Sequence, residues 1–266
     1  MTNQKKTTVL TLQSMRETGE KIAALTCYDA TFAGLMDTVG VDVVLIGDSL
    51  GNVVQGRDTT LAVTLTDIEY HTACVSRGSG SALIVADLPF GHLGSTQQAY
   101  DAAVRLMRAG AHMVKVEGGE WTREVVHVLT ERSIPVCGHI GLTPQSVHAF
   151  GGFKVQGKSD AAAEKLEKDA LAFQDAGATV VVIEAVPASL GATITKRLSV
   201  PTIGIGAGPG CSGQVLVMHD MLGATRGRRP RFVRDFMAAG STLKDAFEAY
   251  VNAVKQGEFP ADQHTF

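Results

Sequence analysis

The chain has 266 residues, of which 45% are hydrophobic, and a formal net charge of −3 at pH 7. A chain of this length can bury one sizeable core without disulfides or structural metals, so we predict a single domain over residues 1–266. The slightly acidic balance gives no general attraction to nucleic acid or to anionic lipid, which favours small-molecule chemistry.

Short apolar runs rich in β-branched residues alternate with amphipathic segments along the chain. The apolar runs predict strands over residues 22–26, 43–47, 82–87, 112–117, 135–140, 179–184, 201–206 and, with a weaker pattern, 215–218. The segments between them predict helices over residues 30–39, 65–78, 96–109, 121–132, 161–176 and 190–198. Gly40, Gly110 and Gly177 are positioned to end helices, and Thr66 with Glu69 is positioned to form a capping box.

This alternation predicts an α/β fold with a parallel sheet, because helical crossovers join parallel strands. Eight strands favour a single closed (β/α)8 barrel of the TIM type over an open doubly wound sheet, which usually has fewer strands around one switch point. The chain after Gly227 is expected to add terminal helices to the barrel. The sequence shows no internal repeat and no linker-like segment, which is consistent with one catalytic domain.

Unusual polar residues follow the predicted strands and support the barrel. In this fold the carboxyl ends of all strands meet on one face, where catalytic groups lie. The polar residues at these ends are Tyr28, Asp29, Asp48, Ser49, Asp87, Lys115, Glu117, His139 and Glu184. We therefore expect an active site on that face.

Three of these residues are carboxylates on consecutive strands. Asp48 or Asp87 alone could cap a helix or accept backbone N–H groups. Together with Glu117 they favour a shared cation, and three oxygen ligands suit Mg2+. No histidine and cysteine cluster in the sequence has the spacing of a zinc site. The sequence therefore predicts a metal site of Asp48, Asp87 and Glu117.

Three further polar residues suggest roles around this site. Lys115 lies two residues before Glu117, so both side chains should point to the same face, where a cation could receive an anionic substrate. Glu184 ends the apolar run T-V-V-V-I-E and suits a general base, although it could instead pair with a cation across the barrel mouth. His139 could orient a substrate, but a hydrogen-bonded structural role inside the barrel is favoured.

Two glycine motifs and one basic run have competing interpretations. Residues 152–159, G-F-K-V-Q-G-K-S, match the P-loop spacing, but no buried strand directly precedes them, so we interpret the match as accidental and the stretch as a lid or binding loop. Residues 204–210 could bind phosphate on backbone N–H groups or form a tight turn. The basic residues within 226–234 are interpreted as a solvated or subunit-bridging face.

The cysteines and the amino-terminal residues indicate the cellular compartment, which we expect to be a reducing one. Cys27, Cys74, Cys137 and Cys211 lie far apart without a C-x-x-C pair, which is typical of reduced proteins. Residues 1–6 are polar with no apolar segment after them, and no stretch approaches the roughly 18 apolar residues of a membrane span. We expect a cytoplasmic protein.

Taken together, the strand-end segments resemble the ketopantoate hydroxymethyltransferase family. The resemblance extends from residue 26 to residue 234 and is specific in many places. It is carried by T-C-Y-D-A, V-L-I-G-D-S-L-G, A-D-L-P-F-G, V-K-V-E-G-G, G-H-I-G-L-T-P-Q, G-G-F-K-V-Q-G-K, V-I-E-A-V-P, I-G-I-G-A-G and R-P-R-F-V-R.

The resemblance implies transfer of a one-carbon unit from 5,10-methylenetetrahydrofolate to 3-methyl-2-oxobutanoate, which gives 2-dehydropantoate for pantothenate and coenzyme A biosynthesis. It assigns Asp48, Asp87 and Glu117 to the metal, and Glu184 as proton acceptor. It assigns 2-oxo acid binding to Asp48, Ser49, Asp87 and Lys115. It also implies a homodecamer of two pentameric rings.

Two alternatives remain open at this stage. A Mg2+-dependent 2-oxo acid lyase or mutase on a related barrel would also place carboxylates at strand ends, and folate-dependent turnover would separate it from a transferase. A barrel that serves only as an assembly module would have no need for three acids, a lysine and a further glutamate at these positions.

Overall fold

The computed structural model describes residues 6–225, 227–238 and 242–266, and its strands close into one parallel barrel. The strands are β1 Ile22–Thr26, β2 Val43–Ile46, β3 Leu83–Asp87, β4 Met113–Glu117, β5 Val136–Gly141, β6 Val180–Glu184, β7 Thr202–Ile205 and β8 Gly213–Leu216. Each strand pairs in parallel with the next along the chain, and β8 pairs with β1. The predicted (β/α)8 barrel is confirmed.

Helices connect the strands and surround the barrel. The α-helices are α1 Val9–Thr18, α2 Ala30–Val39, α3 Leu50–Val53, α4 Leu65–Gly78, α5 Thr96–Arg108, α6 Arg123–Glu131, α7 Val147–Phe150, α8 Asp160–Asp175, α9 Ala188–Arg197, α10 Met218–Met221 and α11 Leu243–Lys255. Short 3-10 turns cover Glu120–Thr122, Pro144–Ser146 and Asp262–His264. All predicted helices are present, with small shifts at their ends. Within the described ranges, no helix is long and apolar enough to cross a membrane.

The eighth strand begins earlier than the apolar pattern predicts. Its first residues, Gly213 and Gln214, are poor strand formers, so an apolar pattern does not reveal them. Gly213 pairs with Ile22 of β1 and with Ile203 of β7. A Cβ at this position would lie 2.4 Å from the backbone oxygen of Ile22, so the close approach of the strands requires glycine.

The predicted capping box on α4 is wrong by two residues. Thr64 is the N-cap: its hydroxyl accepts from the backbone N–H of Asp67, and the Asp67 carboxylate accepts from the backbone N–H of Thr64. The N-cap must immediately precede the first helical residue, a position that Thr66 does not occupy. Glu69 instead forms an ion pair with Arg105 of α5.

Helix α1 lies outside the predicted elements and covers the amino-terminal end of the barrel. Only Leu12 and Met15 of this helix are buried, so its apolar periodicity is weak. Leu12 lines a small apolar space inside the barrel, beside Val43 and Val180. The Arg16 side chain holds the helix in place by donating to the backbone oxygens of Thr195 and Val200, each at 3.0 Å. Small molecules must therefore approach from the opposite end.

The carboxyl-terminal segment adds helix α11 to the barrel, as predicted. Phe247 and Tyr250 of this helix are fully buried. The Tyr250 hydroxyl reaches two strands, lying 2.8 Å from the backbone oxygen of Ala24 and 3.0 Å from that of Gln214. The strands β1 and β8 pair with each other and so close the barrel. The Tyr250 hydroxyl therefore anchors α11 to both strands where the barrel closes.

Replacing Tyr250 with phenylalanine should lower the free energy of unfolding by about 1–2 kcal/mol, because it removes a buried hydrogen bond without changing the packed ring. In thermal unfolding, this corresponds to about 2–4 °C for a chain of this size. The matched control is Tyr70→Phe, since Tyr70 is 65% exposed. Equal melting temperatures for the Tyr250 variant and the control would contradict the assigned role.

Candidate active site

Polar residues from neighbouring strands meet at the carboxyl-terminal mouth of the barrel. Asp87 ends β3 and Glu117 ends β4, while Asp48 lies two residues after β2. The parallel register places Asp87 beside Lys115 and Glu117 beside His139. All five residues are buried. The structure therefore brings together residues that are up to 91 positions apart in sequence, counted from Asp48 to His139.

Asp48, Asp87 and Glu117 form a compact carboxylate cluster. One oxygen from each lies within 4.8 Å of those from the other two. The backbone N–H of Asp48 donates to Oδ2 of Asp87 at 2.9 Å, which fixes the loop after β2 against β3. The predicted convergence of these three carboxylates is confirmed.

Lys115 lies within this cluster. Its Nζ is 3.2 Å from Oδ1 of Asp87 and 3.3 Å from Oε1 of Glu117. Burial alone would lower the pKa of Lys115, but the charges of Asp87, Glu117 and Asp48 outweigh it and raise that pKa above its ordinary value. The side chain is therefore a cation at neutral pH, on the same barrel-facing side of β4 as Glu117.

His139 connects the cluster to Glu184. Its Nδ1 lies 3.1 Å from Oε1 of Glu117 and 3.0 Å from Nζ of Lys115. Burial and Lys115 lower the pKa of His139, but Glu117 and Glu184 overcome them and raise it to about 9. A protonated ring donates from Nδ1 to Glu117. Nε2 lies 3.2 Å from Oε2 of Glu184 but is not aligned for a hydrogen bond. The ring is thus hydrogen-bonded inside the barrel, as the structural interpretation predicts.

Ser49 and Glu184 lie on the wall of the same cavity. The side chain of Glu184 is 15% exposed, whereas Glu117 and Lys115 are each 4% exposed, so Glu184 lies nearest the solvent. The Ser49 hydroxyl is 2.8 Å from the hydroxyl of buried Tyr28, which orients it. Both predicted residues are therefore positioned to contact a molecule bound above the carboxylates.

The carboxylate cluster suits a divalent cation. Burial, together with the charges of Glu117 and Asp87, raises the pKa of Asp48 well above its ordinary value. Lys115 and a protonated His139 offset part of the negative charge of the three carboxylates and Glu184. Oδ1 of Asp87 is buried and accepts no hydrogen bond from the described residues, although Nζ of Lys115 lies near it. Three carboxylates with excess negative charge form the donor set that hard divalent ions prefer.

Two connected spaces lie above the strands. The inner cavity is bounded by the carboxylate cluster, Lys115, His139 and Glu184, with apolar walls that include Val182 and Ile205. The outer chamber lies between Asn52, Phe153 and Arg228. The two share a boundary of Ser49, Pro144, Glu184, Val217 and Asp220. A small acid fits the inner cavity, and a larger molecule can reach it through the outer chamber.

The structure separates other predicted features from the site. Asp29 is the N-cap of α2, where it accepts from the backbone N–H of Phe32. Residues 152–159 follow α7 rather than a strand, which contradicts a nucleotide-binding P-loop and agrees with an accidental match. In the segment 204–210, a Cβ on Gly208 would meet Ala188 at 2.5 Å, which supports the tight-turn interpretation.

The basic run, interpreted from the sequence as a solvated or subunit-bridging face, also makes contacts within the chain. Arg226 lies outside the described residues. Arg229 pairs with Asp235, and Arg231 donates to the backbone oxygen of Gln263. The guanidinium of Arg234 stacks over the Phe236 ring and Arg228 lines the outer chamber. The described arginines of this run therefore contribute to the fold and to the mouth of the site.

Gln145 is a site residue that sequence reasoning missed. Its side-chain Nε2 donates to Oδ2 of Asp48 at 2.9 Å and to the backbone oxygen of Leu88 at 3.1 Å. Its backbone N–H donates to Oε2 of Glu117 at 3.0 Å. Gln145 thus orients two of the three carboxylates. Because it lies in the loop after β5 rather than at a strand end, only its place in the G-H-I-G-L-T-P-Q segment could have identified it.

Replacing Gln145 with methionine should weaken divalent-ion binding by about 10- to 100-fold, the usual effect of losing a residue that orients a metal ligand. Titration with Mn2+, followed by electron paramagnetic resonance, measures the affinity directly. Gln97→Met, on the exposed surface of α5, is the matched control and should bind the ion as wild type does. An unchanged Mn2+ affinity in the Gln145 variant would show that Asp48 does not need the hydrogen bond from Gln145 to bind the ion.

Solved structures of low sequence identity share the fold. A phosphonopyruvate hydrolase in complex with oxalate and Mg++ aligns with a TM-score of 0.63 and 14% identity, covering 90% of this chain and 93% of that one. A 2,3-dimethylmalate lyase of the PEP mutase/isocitrate lyase superfamily aligns with a TM-score of 0.56 and 17% identity, covering 78% and 80%. At these identities the likeness establishes the barrel architecture alone.

Sequence comparison is far more specific. A 3-methyl-2-oxobutanoate hydroxymethyltransferase of Burkholderia thailandensis is 64% identical over 259 residues, covering 97% of this chain and 96% of the relative. The enzyme of the same name from Ralstonia nicotianae is 64% identical over 262 residues, covering 98% and 96%. The ketopantoate hydroxymethyltransferase family model matches residues 6–262. The chain therefore belongs to the ketopantoate hydroxymethyltransferase family.

Proposed function

We propose that the chain transfers a hydroxymethyl group from 5,10-methylenetetrahydrofolate to 3-methyl-2-oxobutanoate, forming 2-dehydropantoate for pantothenate and coenzyme A biosynthesis. The observation that carries the proposal is the buried cluster of Asp48, Asp87 and Glu117, with Lys115 inside it and Glu184 on its rim. Such a cluster is costly to bury unless a cation and an anionic substrate use it. The names of the close relatives support the same reaction.

Asp48, Asp87 and Glu117 would hold the metal, for which we propose Mg2+. Their carboxylate oxygens are hard ligands, and the cluster includes no thiolate that would favour a softer ion. When bound, the divalent cation supplies positive charge beside the carboxylate and ketone oxygens of a 2-oxo acid, which stabilises negative charge at the ketone.

Lys115 and Ser49 would bind the 2-oxo acid together with Asp48 and Asp87. Lys115 offers a buried ammonium to the substrate carboxylate. The Ser49 hydroxyl, held by Tyr28, offers a hydrogen bond from the opposite loop. The apolar wall of the inner cavity suits the branched alkyl group of 3-methyl-2-oxobutanoate.

Glu184 would remove the proton from C3 of the oxo acid. It lines the inner cavity at the end of β6 and is more exposed than the cluster residues, so it can face the substrate rather than the metal. His139 beside it, with Nε2 3.2 Å from Oε2 of Glu184, would help to position its carboxylate. The carbanion so formed would attack the one-carbon unit that arrives from the outer chamber.

A turnover assay tests the proposal and separates it from a lyase or mutase. The purified chain should form 2-dehydropantoate from 3-methyl-2-oxobutanoate only when methylenetetrahydrofolate and a divalent ion are both present. Turnover of a 2-oxo acid that does not depend on folate would favour a lyase or mutase instead. The resemblance also leads us to propose a cytoplasmic homodecamer, for which sedimentation velocity would give the mass.

A further inference from the structure

We propose that Asp220 is a catalytic acid that acts beside the base Glu184 and gives a proton to the oxygen of the one-carbon unit. This inference rests on the proposed function and concerns the half of the reaction that Glu184 does not serve. The base at C3 takes up one proton, and the new hydroxyl group receives one at a different atom. A second residue that serves this transfer has to border both the oxo acid and the incoming one-carbon unit.

Asp220 occupies that border. It lies in α10, directly after the barrel-closing strand β8, and lines both the inner cavity and the outer chamber. The boundary between the two spaces consists of Ser49, Pro144, Glu184, Val217 and Asp220. Of these, only Glu184 and Asp220 carry a group that can give or take a proton near neutral pH. The outer chamber therefore meets the inner cavity between two carboxyl groups.

The surroundings of Asp220 suit an acid. The Thr225 hydroxyl donates to Oδ1 at 2.6 Å, which fixes the orientation of the carboxyl group. Burial raises the pKa of Asp220 above its ordinary value, in spite of that hydrogen bond. A carboxyl group with its pKa raised in this way exchanges a proton more readily near neutral pH than an exposed aspartate does.

The proposed step conserves atoms, electrons and protons. Water first converts the methylene group of the donor into formaldehyde: its oxygen forms the carbonyl, and its two hydrogens end on the two donor nitrogens. The electron pair left at C3 then forms the new carbon–carbon bond, the carbonyl π pair moves to oxygen, and the Asp220 proton passes to that oxygen. Glu184 ends protonated and Asp220 ionised, so Glu184 releases its proton to solvent and Asp220 takes one up before the next turnover.

Two partial reactions separate this role from that of Glu184. Exchange of the C3 proton of 3-methyl-2-oxobutanoate in D2O needs a base at C3 but no one-carbon unit. Cleavage of 2-dehydropantoate into the oxo acid and formaldehyde needs a base at the hydroxyl group and needs no folate. Both can be followed by NMR on the full-length protein with saturating Mg2+.

The test is the Asp220→Asn variant, which keeps the shape of the side chain and removes its acid. Exchange at C3 should continue near the wild-type rate, which also shows that the site is folded. Cleavage of 2-dehydropantoate, and formation of it from the oxo acid and formaldehyde, should fall by at least about 10²-fold. Asp175→Asn is the matched control, since Asp175 pairs with Arg123 at the surface and lines neither space.

Two results would overturn the proposal. Cleavage at the wild-type rate in Asp220→Asn would show that the hydroxyl proton is handled elsewhere. An equal loss of exchange and cleavage would show that Asp220 supports the whole site rather than the one-carbon half. If the wild-type protein itself exchanges no C3 proton, the proposed function fails, and that outcome is recognised before any variant is compared.

Discussion

The Glu184→Gln variant should exchange the C3 proton of 3-methyl-2-oxobutanoate at least about 10²-fold more slowly than wild type, because glutamine keeps the size of the side chain but cannot accept the proton. The carboxylate cluster and Lys115 are unchanged by this substitution. Metal and oxo acid should therefore still bind, and calorimetric titration should give near wild-type affinities. The loss should appear in the exchange rate measured by NMR with both ligands saturating.

The exposed Glu131 of α6 provides the matched control, and Glu131→Gln should leave the exchange rate unchanged. If the Glu184 variant still exchanged the C3 proton but no longer carried out the full transfer, Glu184 would act on the folate donor and not on the oxo acid. His139 would then be the next residue to substitute, since Nε2 of this ring lies 3.2 Å from the Glu184 carboxylate; with its pKa raised to about 9, the ring would accept a proton only in alkaline solution.

The Asp87→Asn variant should bind divalent ions more than about 10²-fold more weakly than wild type, exceeding the effect expected for a residue that only orients a ligand. The substitution removes one charged oxygen donor from the cluster and also one partner of Lys115. Binding of the oxo acid should weaken in parallel when the ion is present. Mn2+ titration measures the first effect and calorimetry the second.

The barrel itself should survive this change, because Asp87 is the last residue of β3 and contributes little to the packing beneath it. Circular dichroism and thermal unfolding would verify this. Asp175→Asn, at a surface ion pair with Arg123, is the control and should bind the ion normally. If Asp87→Asn kept wild-type metal affinity, the cluster would not be a metal site built on this residue.

The strands and the carboxylate cluster were predictable from the sequence for one physical reason. A parallel barrel places every strand end on one face, so Asp48, Asp87 and Glu117 had to converge once their strands were recognised. The alternation of apolar runs and helices made that recognition possible. Strand-end placement also suggested the metal carboxylates, the Lys115 cation and the Glu184 base, whereas oxo acid binding by Ser49, Asp48 and Asp87 came from resemblance alone.

Contacts made by loops were not predictable in the same way. Gln145 reaches Asp48 across 97 positions of sequence, and no local pattern indicates that pairing. Asp220 borders two spaces whose shape depends on several loops. Helix α1 escaped prediction because only Leu12 and Met15 of it are buried. In each case the tertiary packing determines the role of the residue or helix, and the periodicity of the sequence gives no indication of it.

The most direct test of the proposed chemistry is exchange of the C3 proton of 3-methyl-2-oxobutanoate in D2O, because it requires metal, oxo acid and base together. With the wild-type protein and Mg2+, NMR should show loss of the C3 proton signal without any folate. Excess chelator should stop the exchange, and added Mg2+ should restore it without refolding the protein. Exchange that continues at full rate in excess chelator, or no exchange with Mg2+ present, would contradict a metal-dependent enolising site at the mouth of this barrel.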